Sequence, residues 1–258
     1  MSTDGNRIAI SGSESNVSSE SNNSDELRGF VEIYDAVTGR LMGRVTTEYI
    51  EAVAPIVSVV LSGNGDTLAV GSVFPANEGV KSGVKVFDLT KINAAQSVIL
   101  QIGFIEAGTM GDLPGLRLDM SDDGSSLVVG GRNYDNGRGQ VRLYTINTID
   151  KTVTLVGGDE FKGADDSKDH LGSSVSLSGD GLYVAIGGTG VINNGEETGA
   201  VKVYDTNTKE LVGGVIYGTS ANDATGFSVD LVNLGVTSNG RRVLYVAVAS
   251  IFLDKDFC

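Results

Sequence analysis

Four stretches of this chain can be laid over one another: STDGNRIAISG from Ser2, SGNGDTLAVGS from Ser62, SDDGSSLVVGG from Ser121 and SGDGLYVAIGG from Ser178. Their glycines Gly5, Gly65, Gly124 and Gly181 are spaced by 60, 59 and 57 residues. A second column follows each stretch: GFVEIYD from Gly29, GVKVFD from Gly83, GQVRLYT from Gly139 and GAVKVYD from Gly199. Val31, Val84, Val141 and Val201 mark it, at spacings of 53, 57 and 60. Two independent columns that keep one period define a repeat, and a repeat constrains the fold more than any composition does.

Each unit reads as about four strands. An apolar strand such as Ser174–Leu177 leads through an S-x-x-G turn into a second, LYVAIGG. Gly at that turn supplies the positive φ a tight hairpin requires. A loop of variable length follows, and then the third strand alternates: Val201 and Val203 face one way, Lys202 and Tyr204 the other. A D-x-x-T turn (Asp35 to Thr38, Asp205 to Thr208) leads to the fourth strand. No segment keeps an apolar 3.6-residue period, so no substantial helix is expected.

The second strands point to the architecture. LAVGS, LVVGG and YVAIGG are apolar on successive residues, as strands covered on both faces are. Small residues end them (Ala69, Gly71, Gly130, Ala185, Gly187), which suits crowding near an axis. Four-stranded antiparallel units sandwiched between neighbours are blades of a β-propeller. A β-solenoid is the rival, but its coils are shorter than this period. The expectation is an all-β chain, a β-propeller of four-stranded antiparallel blades. Repeats fall at 1–54, 55–113, 114–169 and 170–225, with a partial one at 226–258. About four and a half blades are then present, because Met1 aligns with Leu177 inside a blade. Closure on itself and membership of a longer ring are both open, and the second is favoured.

The period also disposes of a motif. Residues 157–161 spell GGDEF, the signature of cyclases that join two GTP molecules. LVGGDEFKG from Leu155 and LVGGVIYGT from Leu211 lie 56 residues apart, in the fourth-strand column. Asp159, Glu160 and Phe161 then stand where Val215, Ile216 and Tyr217 stand. A nucleotide cyclase needs an α/β domain around the motif, and these surroundings are β-rich.

The segment from Asp169 to Asp205 resembles the FG-GAP repeat, the propeller blade of integrin α-subunit heads. LGSSVSLS stands for its F-G-x-S-V, AIGGTG for its G-A-P and GAVKVYD for its G-x-V-x-V-Y. Drifted copies, PGLRLDMS at Pro114 and GFSVDLV at Gly226, extend the likeness over most of the chain. The resemblance implies a seven-bladed ring used for adhesion or ligand binding, not catalysis, at a cell surface or outside the cell. It also raises calcium, since calcium-binding blades carry D-x-[DN]-x-D-G-x-x-D in the first hairpin. None of these hairpins keeps that string. SGDGLYV offers Asp180, SDDGSSL offers Asp122 and Asp123, and both read as turn formers. The remaining cation candidates are Asp165, Ser167 and Asp169, alternating along one loop, where a solvated acidic loop is the plainer reading.

Little else carries chemistry. His170 is the sole histidine, so any triad or imidazole metal site rests on it alone, and its place before a strand suits a turn residue. Cys258 is the sole cysteine and the last residue. Asn16 and Asn22 head N-x-S sequons in a Ser/Asn/Glu-rich loop, usable only on a eukaryotic secretory route. The net charge of −14 repels phosphate backbones and anionic lipid, and no apolar run approaches a bilayer span. The expected partner is therefore a protein or carbohydrate ligand, or the rest of a longer parent chain, with neither nucleic acid nor membrane insertion. No cofactor and no catalytic residue is expected. The alternatives are a carbohydrate-active enzyme with paired acids in the central mouth, and a purely structural repeat.

Overall fold

A computed structural model describes residues 1–15, 26–47, 50–51, 56–76, 79–92, 98–106, 117–157, 161–239 and 242–251. The chain is all-β and its strands form successive antiparallel sheets. The first sheet holds β1 (Arg7–Ser15), β2 (Glu26–Asp35) and β3 (Leu41–Thr46) in that order, with the short β4 (Ile50–Glu51) also on β2. The second runs β5 (Ile56–Leu61), β6 (Thr67–Ala76), β7 (Gly79–Asp88), β8 (Leu100–Glu106). The third runs β9 (Arg117–Met120), β10 (Ser126–Gly131), β11 (Gln140–Asn147), β12 (Thr152–Leu155), and β13 (Phe161–Lys162) adds to β11. The fourth begins with β14 (Leu171–Leu177) and β15 (Tyr183–Gly188). The small hairpin of β16 (Ile192–Asn193) and β17 (Glu196–Glu197) interrupts it before β18 (Ala200–Asp205) and β19 (Ile216–Tyr217) complete it. A final pair, β20 (Ser228–Val236) and β21 (Arg242–Ala249), stands as a two-stranded hairpin. Among the described residues no helix is long and apolar enough to cross a membrane.

The same turn opens each unit. Gly5, Gly65, Gly124 and Gly181 sit at φ between 72° and 74°. Each donates its N–H to the carbonyl of the serine three residues before, at 2.7–3.0 Å. The serine hydroxyl in turn accepts the N–H five residues on: Arg7, Thr67, Ser126 and Tyr183, each at 3.0 Å. It donates to the Asp or Asn between them, as Ser178 does to Asp180 at 2.6 Å. The serine is buried in all four, so its hydroxyl is the partner those backbone groups have in place of water. The D-x-x-T turns work likewise, the Asp35 and Asp205 carboxylates each accepting two backbone N–H groups.

Sheets stack face to face, and the core lies between them. Val31 and Ile33 of the first sheet meet Leu68, Val70 and Phe87 of the second. Ala69, Val84 and Val86 from the second's other face meet Met120, Leu127 and Val129 of the third. Val128, Val141 and Leu143 then meet Val175, Val184 and Ile186. Tyr183, Ala185, Val201 and Val203 meet Val229 and Leu231 of the hairpin. Adjacent residues of one strand, Val128 and Val129, thus serve two different cores, which is why the second strands are apolar without alternation. The first strands β5, β9, β14 and β20 adjoin in sequence, giving a propeller-like arrangement. Two of the small residues show what crowds them. A Cβ on Gly130 would meet the Gly172 carbonyl at 2.8 Å, and one on Gly187 would collide with the Gly226 carbonyl. It is the backbone of the following unit that crowds them.

The first sheet's outer face differs in kind. Glu14 pairs with Arg28 and, at 2.6 Å, with Arg44. Arg44 also covers the Phe30 ring at 4.3 Å. Tyr34 donates its hydroxyl to Glu32 at 2.7 Å.

Two substitutions separate the parts of the turn. Nothing lies within 4 Å of a Cβ added to Gly5, so Gly5→Ala should cost about 1–2 kcal/mol from the left-handed backbone alone. Ser178→Ala should cost about 1–3 kcal/mol, because it strands the Tyr183 N–H in the core. Urea denaturation of the two variants checks both values.

Candidate functional site

A cavity of about 600 Å³ opens where the first strands meet the serine turns. Its walls come from successive units: Val60 on β5, Asp119 on β9, Ser176 on β14 and Asp230 on β20. Thr3, Gly63, Asp122, Gly179 and Asp180 of the turns also line it. The four wall residues are one position of the repeat. Asp119, Ser176 and Asp230 precede Met120, Leu177 and Leu231, and Val60 precedes Leu61 in the same way.

This position joins one unit to the next. The Asp119 carboxylate accepts the Leu177 N–H at 2.7 Å and the Ser176 hydroxyl at 3.1 Å through one oxygen. Its other oxygen takes the Met120 N–H at 2.9 Å. Ser176 repeats the move one unit on, accepting the Leu231 N–H at 3.1 Å. Its hydroxyl lies 3.5 Å from Asp230, so a single hydroxyl stands between two carboxylates. Burial pushes the Asp119 carboxyl above its ordinary 3.8, and the Asp230 charge adds to that; the two N–H donors and the hydroxyl act against it without overcoming it.

The turns close one end of the cavity. Asn64 N–H donates to the Asp122 carbonyl and Asp122 N–H to the Gly179 carbonyl, both at 2.8 Å. The Thr3 hydroxyl reaches the Asp122 carboxylate at 2.9 Å. That carboxylate lies against Gly63 and Gly179, where an added Cβ on either glycine would overlap it. Asp123 belongs to its own turn. Burial would raise its carboxyl, but the Ser125 N–H and the Ser121 and Ser125 hydroxyls outweigh that and hold it low.

The residues singled out in the sequence fall elsewhere or are already engaged. Asp165 is exposed and ion-paired with Arg138. The Ser167 hydroxyl donates to the Ala164 carbonyl at 2.8 Å, and buried Asp169 accepts the Ala164 N–H at 2.9 Å. The three therefore do not converge as loop ligands would. Among the described residues no three His, Cys, Asp or Glu side chains are placed to hold a metal ion. The His170 ring lies against Gly137, with Nδ1 3.3 Å from the Arg132 carbonyl. Its own backbone, at φ 51°, forms the turn into β14. Asn16, Asn22, Cys258, Asp159 and Glu160 lie outside the described residues.

Phe161 does sit in the fourth-strand column, with a one-residue correction. It pairs with Val141, whereas Ile216 pairs with Val201. Phe161 therefore stands where Ile216 stands, not Tyr217.

Asp119 and Asp230 were missed in the sequence. Lining up the first strands by their last apolar residue would have found them, since Val, Asp, Ser and Asp then share a column.

Replacing Asp119 tests its joining role. Asp119→Ala should lower stability by about 1–3 kcal/mol by leaving the Leu177 N–H without its acceptor. The pH dependence has a definite sign. With the native carboxyl above 3.8, the native chain takes up this proton before the unfolded chain does. The stabilisation is thus complete below the unfolded value and is lost as pH rises through the native one. Wild type should gain on Asp119→Asn, measured by urea midpoints, between about pH 7 and about pH 4.5.

No known family's sequence model matches the chain, and no curated protein matches it. Solved structures do resemble it. The β-propeller domain of the Trilobed protease from Pyrococcus furiosus superposes at a TM-score of 0.48 and 12% identity, over 96% of this chain and 68% of that one. Kuenenia stuttgartiensis hydrazine synthase gives 0.45 and 15%, over 85% of this chain and 57% of that one. Pyrococcus horikoshii acylaminoacyl peptidase gives 0.47 and 12%, over 95% and 37%.

Proposed function

We propose that the chain is a non-catalytic binding module, an FG-GAP-like β-propeller of about four and a half blades belonging to a ring of more. It acts in adhesion or ligand capture at a cell surface or outside the cell. The observation that carries this reading is the acidic cavity. Four successive units wall it, the turns close one end, and its most buried carboxylate engages both oxygens with backbone N–H groups. A carboxylate held that way joins strands and is poorly free to exchange protons with a substrate. Asp180 is likewise held, by Ser178, Leu182 and Asn233, which leaves Asp122 and Asp230 to meet a ligand rich in hydroxyl or cationic groups, either a carbohydrate or a basic protein surface.

One observation favours a second reading, a carbohydrate-active enzyme. Asp119 and Asp230 flank the Ser176 hydroxyl, and one of the two carboxyls is raised, as an acid and base pair requires.

Arrayed glycans and surface proteins, probed with the full chain and with Asp230→Asn, tell the readings apart. The binding module should hold a ligand, return it intact, and weaken several-fold on the substitution. Cleaved product that disappears in Asp230→Asn would replace it with the enzyme. A ligand held equally well by both chains would move the site away from this cavity.

A further inference from the structure

The last hairpin repeats the first two strands of the fourth unit in register, yet among the described residues one of its faces is uncovered. Leu244, Tyr245, Val246 and Ala247 reproduce Leu182, Tyr183, Val184 and Ala185. The pairing is in the same register, with Val246 opposite Leu231 and Ala247 opposite Asp230 as Val184 is opposite Leu177 and Ala185 opposite Ser176. Tyr183 is 8% exposed and Tyr245 is 61% exposed. The structure states what covers Tyr183: the next unit's first two strands, through Val229, Leu231, Val246 and Val248.

A second feature agrees. Asp119 and Ser176 each accept a backbone N–H from the first strand of the following unit. Asp230 holds that position in the hairpin, on the face that carries exposed Val232 and Leu234. A surface with an apolar stripe and a backbone acceptor in this register fits one chemistry, another antiparallel β-hairpin of the x-V-x-L and Y-V-A-V pattern. The first sheet of this chain does not supply it, because its outer face is an ion-pair network.

We propose that the open face of β20 and β21 is an interface for one further unit of the same repeat. That unit's first strand donates a backbone N–H to Asp230, and its second strand covers Tyr245. The proposal rests on the reading of a larger ring and shares Asp230 with the cavity, but it is read at Tyr245, apart from any ligand.

The test is a lengthened chain in which residues 190–251 are repeated once directly after Ile251, compared with the full wild-type chain. Tyrosine nitration, mapped by mass spectrometry, reports each ring, with Tyr183 as the protected internal standard. Tyr245 should react readily in wild type and several-fold more slowly in the lengthened chain, and the added unit should resist protease. Lengthened Asp230→Ala should lose part of that protection. An added unit that stays protease-sensitive, or that leaves Tyr245 as reactive as before, overturns the proposal. So does a wild-type chain whose Tyr245 is already protected at twice the monomer mass, which assigns the face to a second copy.

Discussion

The second, third and fourth sheets of this chain are apolar on both faces, and that requirement organises the rest. A sheet with two apolar faces cannot rest against water on either side, so it must be flanked. Val128 and Val129 illustrate the demand at its smallest scale, since neighbours on one strand are buried in different cores. Stacking therefore propagates from unit to unit, and stability is shared between neighbours instead of residing in one central core. The turns, the joining carboxylate and the close-packed glycines all serve to hold successive sheets at a spacing that closes these cores.

Much of this was legible in the sequence because it recurs. Ser178 and Gly181 perform the same backbone duties as Ser62 and Gly65, so the turn has one chemical solution and keeps one spelling. The second strands were read correctly as covered on both sides for the same reason. GGDEF could be set aside because its column was visible, although the pairing with Val141 moved Phe161 by one place.

The cavity was hidden by the opposite circumstance. Val60, Asp119, Ser176 and Asp230 hold one position with three chemistries, so no conserved-looking letter marks it along the chain. Asp119 and Ser176 nevertheless do the same thing, offering an oxygen to the next strand's N–H. Backbone acceptors are interchangeable in a way that turn geometry is not. The loop acids failed as a group because Arg138 and local backbone groups take Asp165, Ser167 and Asp169 in separate directions.

Near-identity of the turns also bears on how the chain reaches this state. Four hairpins of one design give four equivalent places at which folding can start, each closing over a handful of residues in microseconds. None of them distinguishes its proper neighbour from a more distant one by the turn itself, so the hazard is assembly in the wrong order. The ion pairs among Glu14, Arg28 and Arg44 mark one sheet as different from all the others. A hairpin that docks there in error must bury charge, and so the folding chain carries a built-in polarity that tells its first blade from the rest.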